Sequence, residues 1–149
     1  MRLALAQARQ AYAKGEVPVG AVIVVQDKVI AAAHNLRETS NDPTAHAEML
    51  ALRQASQISG RWRLSDARLY VTIEPCPMCA GAIMLSRLGT LVYGADDPKW
   101  GAVHTLFEVI NHPKLNHKLE VISGVLADEC REIIQDFFTD RRKMMRGDF

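Results

Sequence analysis

Between residues 2 and 14 the apolar positions recur at helical spacing, with Leu5, Ala8 and Tyr12 on one face of an Ala-rich stretch that Gly15 stops. The pattern then changes to short β-branched runs. Gly20 to Val25 and Val29 to Ala33, separated by Gln26-Asp27-Lys28, predict a hairpin. After a polar loop from Asn35 to Pro43, Thr44 is expected to cap a helix running from Ala45 to about Gln57, with Met49, Leu52 and Ala55 as its core stripe. Leu69 to Ile73 reads as a buried strand entering Pro75-Cys76-Pro77-Met78-Cys79, where Pro77 takes the first position of a third helix ending near Leu88-Gly89. Thr90 to Tyr93 is the next strand, Leu106 to Ile110 a short helix and Leu119 to Val125 a last strand. Ala127 to about Met145 forms a final helix with Cys130, Ile133, Ile134 and Phe137 at core spacing. Strands alternating with helices predict an α/β layer fold, with an antiparallel first pair and helix-connected parallel strands after it.

At 149 residues the chain reads as one domain, 1–149, with no linker, repeat or low-complexity tract. A chain of this size can bury roughly 70% of its unfolded surface, so it needs no metal merely to hold a core. Eighteen Lys and Arg against seventeen Asp and Glu exclude a strongly basic coat that grips nucleic acid by bulk charge. Local basic patches remain. Three cysteines, two of them spaced C-x-x-C, suit metal or redox chemistry in a reducing compartment better than disulfides. The first ten residues lack the unbroken apolar core of a signal peptide, and Val19 to Val25 is too short to span a bilayer. A cytoplasmic protein without membrane contact is the expectation.

His46-Ala47-Glu48 opens one expected helix, and Cys76 with Cys79 opens another. On a helix, residues i and i+2 point about 200° apart, so His46 and Glu48 can share a partner only beyond the N-terminal end. Cys76 and Cys79, at i and i+3, lie on one face. Thiolates with an imidazole favour zinc, and two helix N-termini add partial positive charge. No fourth protein ligand is in view, which points to an open, catalytic site. A thioredoxin-like redox pair accounts for Cys76 and Cys79 but has no use for His46 and Glu48. With Thr44 as cap, Glu48 is not at the capping-box position either. His46 alone would read as a core histidine, and Cys130 as an inert buried thiol. A bound zinc would activate water, Glu48 would carry its protons, and the backbone N–H groups of Ala47 and Cys76 would steady the attacked group.

His46-Ala47-Glu48 followed by Pro75-Cys76-Pro77-Met78-Cys79 matches the H-x-E…P-C-x-x-C signature of the zinc nucleobase deaminases, a family in which this chemistry is established. Further matches are Gly15-Glu16-Val17-Pro18-Val19-Gly20-Ala21, Asn41-Asp42-Pro43-Thr44, Asp97-Pro98-Lys99-Trp100-Gly101-Ala102, Asn116-His117 and Leu126-Ala127-Asp128-Glu129-Cys130 with Phe137-Phe138. Over nearly its whole length the chain resembles the branch of that family acting on adenosine in bacterial tRNA. One departure is Val103-His104-Thr105, where the family usually has x-Gly-Ser; His104 is expected on the surface.

The resemblance implies a three-layer α/β/α cytidine deaminase-like fold around a five-stranded mixed sheet. It also implies one zinc per chain on His46, Cys76 and Cys79, Glu48 as catalytic acid and base, a homodimer, and a tRNA anticodon stem-loop as partner. Asn35 would hold the edge of a flipped base, with Val17, Pro18 and Val19 as pocket wall. Asp97 would reach the ribose, and Lys99, Arg141, Arg142 and Lys143 the phosphates, joined by the Arg61-Trp62-Arg63 patch. A free-base or nucleoside deaminase shares the zinc signature without needing the basic tail. A zinc-bearing RNA-binding module is the non-enzymatic alternative, against which Glu48 argues.

Overall fold

The computed structural model describes residues 1–148. Helix α1 (Arg2–Ala13) buries Ala4, Leu5, Ala8 and Ala11 against strand β1 (Gly20–Val25). Gly20 permits the contact, since a methyl there would stand 1.9 Å from the Ala4 carbonyl oxygen. Gln26 and Asp27, with φ of 50° and 61°, turn β1 into β2 (Lys28–His34), so the hairpin stands where the pattern placed it. Helix α2 (Ala47–Ser59) leads to β3 (Ala67–Ile73), then α3 (Pro77–Leu85), β4 (Thr90–Ala95), β5 (Glu120–Ile122) and α4 (Ala127–Arg146).

Among the described residues the sheet has five strands in the order β2-β1-β3-β4-β5. β1 runs antiparallel to both β2 and β3, while β3, β4 and β5 are parallel. Side-chain alternation divides the two faces. Ala21, Ile23, Leu91 and Tyr93 join the apolar cluster of α2 and α3, with Ala51, Leu52 and Ile83. Gly20 meets α1 on the other face, where a methyl at Gly94 would lie 2.4 Å from Cys130 Sγ of α4. Tyr12 of α1 packs edge-on to Phe137 of α4, ring centroids 5.4 Å apart, completing an α/β/α sandwich. Ile23, Leu69, Ile83 and Leu91, all 0% exposed, each contribute about 1.5–3 kcal/mol through burial.

Several local expectations fail for identifiable reasons. The cap of α2 is His46, not Thr44, because the Asp42 carboxylate takes both the amide and the hydroxyl of Thr44 (2.8 and 2.7 Å) and holds that stretch in a turn. α3 stops at Leu85, since Arg87 turns left-handed with φ 59°. Leu106 to Ile110 is not helical. The Gly101 carbonyl accepts the amides of Leu106 and Phe107, and Val109 bonds back to Ala102, which winds the segment into a loop. β5 is shorter than Leu119 to Val125, ending before Gly124, whose φ is 80°. In α2, Ala51 rather than Met49 is buried beside Leu52 and Ala55. No helix among the described residues is long and apolar enough to cross a membrane.

Candidate metal centre and its cavity

The carboxyl ends of the parallel strands β3 and β4 and the N-termini of α2 and α3 converge on a cavity of about 920 Å³. His46 and Cys76 are the N-cap residues of α2 and α3, both with extended backbone (φ −78°, ψ 148° and φ −74°, ψ 172°) and neither spending its side chain on a capping bond. Their side chains are therefore free to point off the helix ends. His46 Nδ1 lies 3.7 Å from Cys76 Sγ and 3.5 Å from Cys79 Sγ, and the ligand atoms of the three residues all lie within 4.8 Å of one another. They form a donor set able to hold a metal ion. The Cys79 thiol beside it, aided by His46, pulls Cys76 down to about 4 against the opposing effect of burial. Cys79 is pushed up by the neighbouring Cys76 and by burial, and His46 is raised chiefly through its bond to Cys76.

Glu48, in the first turn of α2, lines the same cavity and is 3% exposed. Burial raises its carboxyl above the ordinary range, outweighing the pull of its own backbone amide and of His46. Asn35 follows β2 and is 7% exposed; its Oδ1 accepts the Ala47 N–H at 2.8 Å, supplying the side-chain cap that His46 does not. The Ala47 amide donates to Asn35 in this structure.

Val17, Val19, Asp97 and Lys99 all line the cavity, with Trp100 and Phe138 adding exposed aromatic surface. Asp97 Oδ1 accepts the amides of Lys99 and Trp100 at 2.9 and 3.2 Å, so its carboxylate also shapes the loop it stands on. From α4 come Arg131, Ile134, Gln135 and Phe138, which places Ile134 on the cavity and not in the core. Arg142 lies one turn beyond Phe138 on that face, whereas Arg141 covers Phe137 on the α1 side (5.5 Å). Lys143 follows neither face. None of the three lines the cavity itself. Arg61, Trp62 and Arg63 lie past the far end of α2, about 20 Å of helix from His46, and do not belong to this site.

Two residues of interest escaped the sequence reading. Glu74, 1% exposed, closes β3 and faces the cavity wall; the available signal was a carboxylate ending a buried strand immediately before the Pro-Cys turn. Arg37, in the loop after β2, also lines the cavity, and nothing in its local sequence distinguishes it from a solvated arginine. His104 is exposed on the surface, as expected, and its ring is held there by two partners. Its Nδ1 is 2.6 Å from the Tyr93 hydroxyl and its Nε2 is 3.3 Å from the Asp96 carboxylate.

Residues 1–142 match the family model of the MafB19-like deaminases. A tRNA-specific adenosine deaminase of Bacillus subtilis is 51% identical over 147 residues, spanning 99% of this chain and 91% of that protein. One from Haemophilus influenzae is 49% identical over 144 residues, spanning 96% and 83%. Among solved structures, a chain from a study of A-to-I editing by tRNA:A34 deaminases at the wobble position superposes with a TM-score of 0.86 at 47% identity, covering 89% of this chain and 96% of that one. A guanine deaminase from Bacillus subtilis gives a TM-score of 0.62 at 34% identity, covering 95% and 90%.

Proposed function

The chain belongs to the family of tRNA-specific adenosine deaminases and converts adenosine to inosine at the wobble position of tRNA; we propose that Glu48 carries the protons of that reaction and that His46, Cys76 and Cys79 hold a zinc ion beside it. The donor set supports this choice of metal. Tetrahedral zinc with bonds of about 2.1 and 2.3 Å would put nitrogen and sulfur roughly 3.6 Å apart, close to the 3.5 and 3.7 Å found. When bound, zinc supplies a Lewis acid that makes water nucleophilic near neutral pH.

Glu48 does the rest of the acid–base work. Its buried carboxylate takes a proton from the water attacking C6 and passes it to ring nitrogen N1, then takes the remaining proton from the new C6 hydroxyl and delivers it to the amine, so that the C6–N bond breaks, ammonia leaves and the C6 carbonyl of inosine remains. A carboxyl whose pKa is raised by burial suits a group that must both accept and return a proton. Asn35 lines the cavity and caps α2 through its Oδ1, which leaves its amide NH₂ as a donor for the base edge. Val17 and Val19 wall the pocket, Trp100 and Phe138 offer stacking faces, and Asp97 meets the ribose. Lys99 and Arg142 meet phosphates near the cavity, with Arg141 and Lys143 adding longer-range charge.

The whole chain acts as one catalytic domain in the cytoplasm, paired as a homodimer. The observation that carries the reading is the His46-Cys76-Cys79 triangle facing buried Glu48 in one cavity. Incubating zinc-loaded protein with an anticodon hairpin, free adenosine and free guanine tests it. Inosine should form in the hairpin far faster than from free adenosine. Ammonia released from guanine with the hairpin untouched would transfer the site to free bases, and sedimentation of the same preparation should report twice the monomer mass.

A further inference from the structure

The exposed rim of the cavity, Pro98-Lys99-Trp100, sits on a loop that buries Ala102 and Val103 in the core and is wound around one buried carboxylate. Glu74 Oε1 accepts the Asp97 amide at 3.1 Å and the Thr105 hydroxyl. Oε2 accepts the amides of Val103 (3.0 Å), His104 (3.1 Å) and Thr105 (3.1 Å). Between these points Gly101 passes so close that a methyl on it would stand 2.5 Å from the Glu74 carboxyl carbon. The loop is thus gripped at both ends of residues 97–105 by the residue two places before Cys76. Backbone bonds reinforce the grip, Glu74 N–H to the Ala95 carbonyl and Ala102 N–H to the Pro75 carbonyl, each 2.8 Å. His104 extends it outward by linking Tyr93 to Asp96, which also lines the cavity.

We propose that Glu74 is a positioning residue for substrate capture: its carboxylate holds the 97–105 loop in the form that receives the nucleotides around the target base, and it takes no part in the chemistry. The proposal rests on the reading that this cavity takes an anticodon loop. Four backbone amides and one hydroxyl on a single buried carboxylate are more than a loop of this length needs merely to be closed off from solvent. They preorganise a surface that would otherwise have to be ordered by the RNA on binding. Loss of the acceptor would leave the metal triangle in place and lower the fraction of molecules with a competent rim. Apparent affinity falls by that fraction, so a loop correctly placed one time in ten raises the hairpin KM about tenfold at unchanged kcat.

Glu74→Gln keeps the size and turns a donor toward the loop amides. Gly101→Ala attacks the same contact from the loop side, away from the metal ligands. Both variants should retain full metal content, show faster hydrogen exchange at the Val103, His104 and Thr105 amides, and raise the hairpin KM about tenfold with kcat within about twofold of the parent. An unchanged KM in metal-replete Gly101→Ala with accelerated exchange would overturn the proposal. So would a fall in kcat at constant KM, which would place Glu74 in the chemical step. If the parent protein leaves the hairpin untouched, the functional reading fails by itself, and unchanged exchange in Glu74→Gln would still refute the grip on the loop.

Discussion

Glu48 and Glu74 line the same cavity and are both nearly sealed from solvent, at 3% and 1% exposed, yet their acidities move in opposite directions. Burial pushes both upward. At Glu74 the Thr105 hydroxyl and the amides of His104, Thr105 and Asp97 reverse that push and hold the carboxyl below its ordinary value. At Glu48 its own amide and the neighbouring imidazole do not, and the carboxyl stays raised. Burial therefore sets the cost of the charge, while the number of fixed donors decides whether the anion is an anchor or a proton carrier. Glu16 falls with Glu74: buried at 1% exposed, it accepts the amides of Glu38 and Thr39 at 3.0 and 2.6 Å and ends up below its usual value.

The comparison breaks most visibly at Glu48. Glu48→Gln should lower hairpin deamination by at least about a thousandfold while metal content is retained, measured by single-turnover inosine formation alongside metal analysis. If the variant loses metal as completely as His46→Ala, Glu48 is part of the donor set and the contrast with Glu74 collapses. Stability should rank the pair the other way. In urea unfolding of metal-free protein near neutral pH, Glu74→Gln should cost about 2 kcal/mol through its charge-assisted hydrogen bonds, whereas Glu48→Gln should be neutral or stabilising.

Acid titration sharpens the same division. The folded-state values of Glu16 and Glu74 lie below the ordinary 4.5, so their stabilisation is complete above that pH and is lost as pH falls through the depressed values. Glu48, raised when folded, opposes folding once ionised and ceases to do so as it takes up a proton. Urea midpoints of metal-free protein measured between about pH 3 and 7 should show a flattened acid limb for Glu16→Gln and a steeper loss of stability on acidification for Glu48→Gln. Equal slopes in the two variants would contradict the assignment. The smallest effect belongs to the rim: Arg142→Ala should raise hairpin KM by about two- to threefold and reduce its salt dependence, with Lys143→Ala closer to the parent.

What the sequence by itself determined is whatever depends on neighbours along the chain. Helical spacing in 2–14, the β-branched runs of the hairpin, Pro77 at the first position of α3 and the placement of His46, Cys76 and Cys79 at helix starts all follow from local rules, and the fold preserves them. Glu48 was legible for the same reason, being two residues from His46 on the same helix end. Tertiary structure decided what each polar group meets. Asn35 reaches 12 residues along the chain to cap α2, and Glu74 gathers amides 23 to 31 residues away. Bonds to the Gly101 and Ala102 carbonyls wind 106–110, helical in pattern, into a loop, and Tyr93 and Asp96 hold the His104 ring. Residue type specifies only that a buried carboxylate must find donors; which amides supply them is settled when β3 and β4 align in parallel and bring Glu74 beside the chain leaving Ala95.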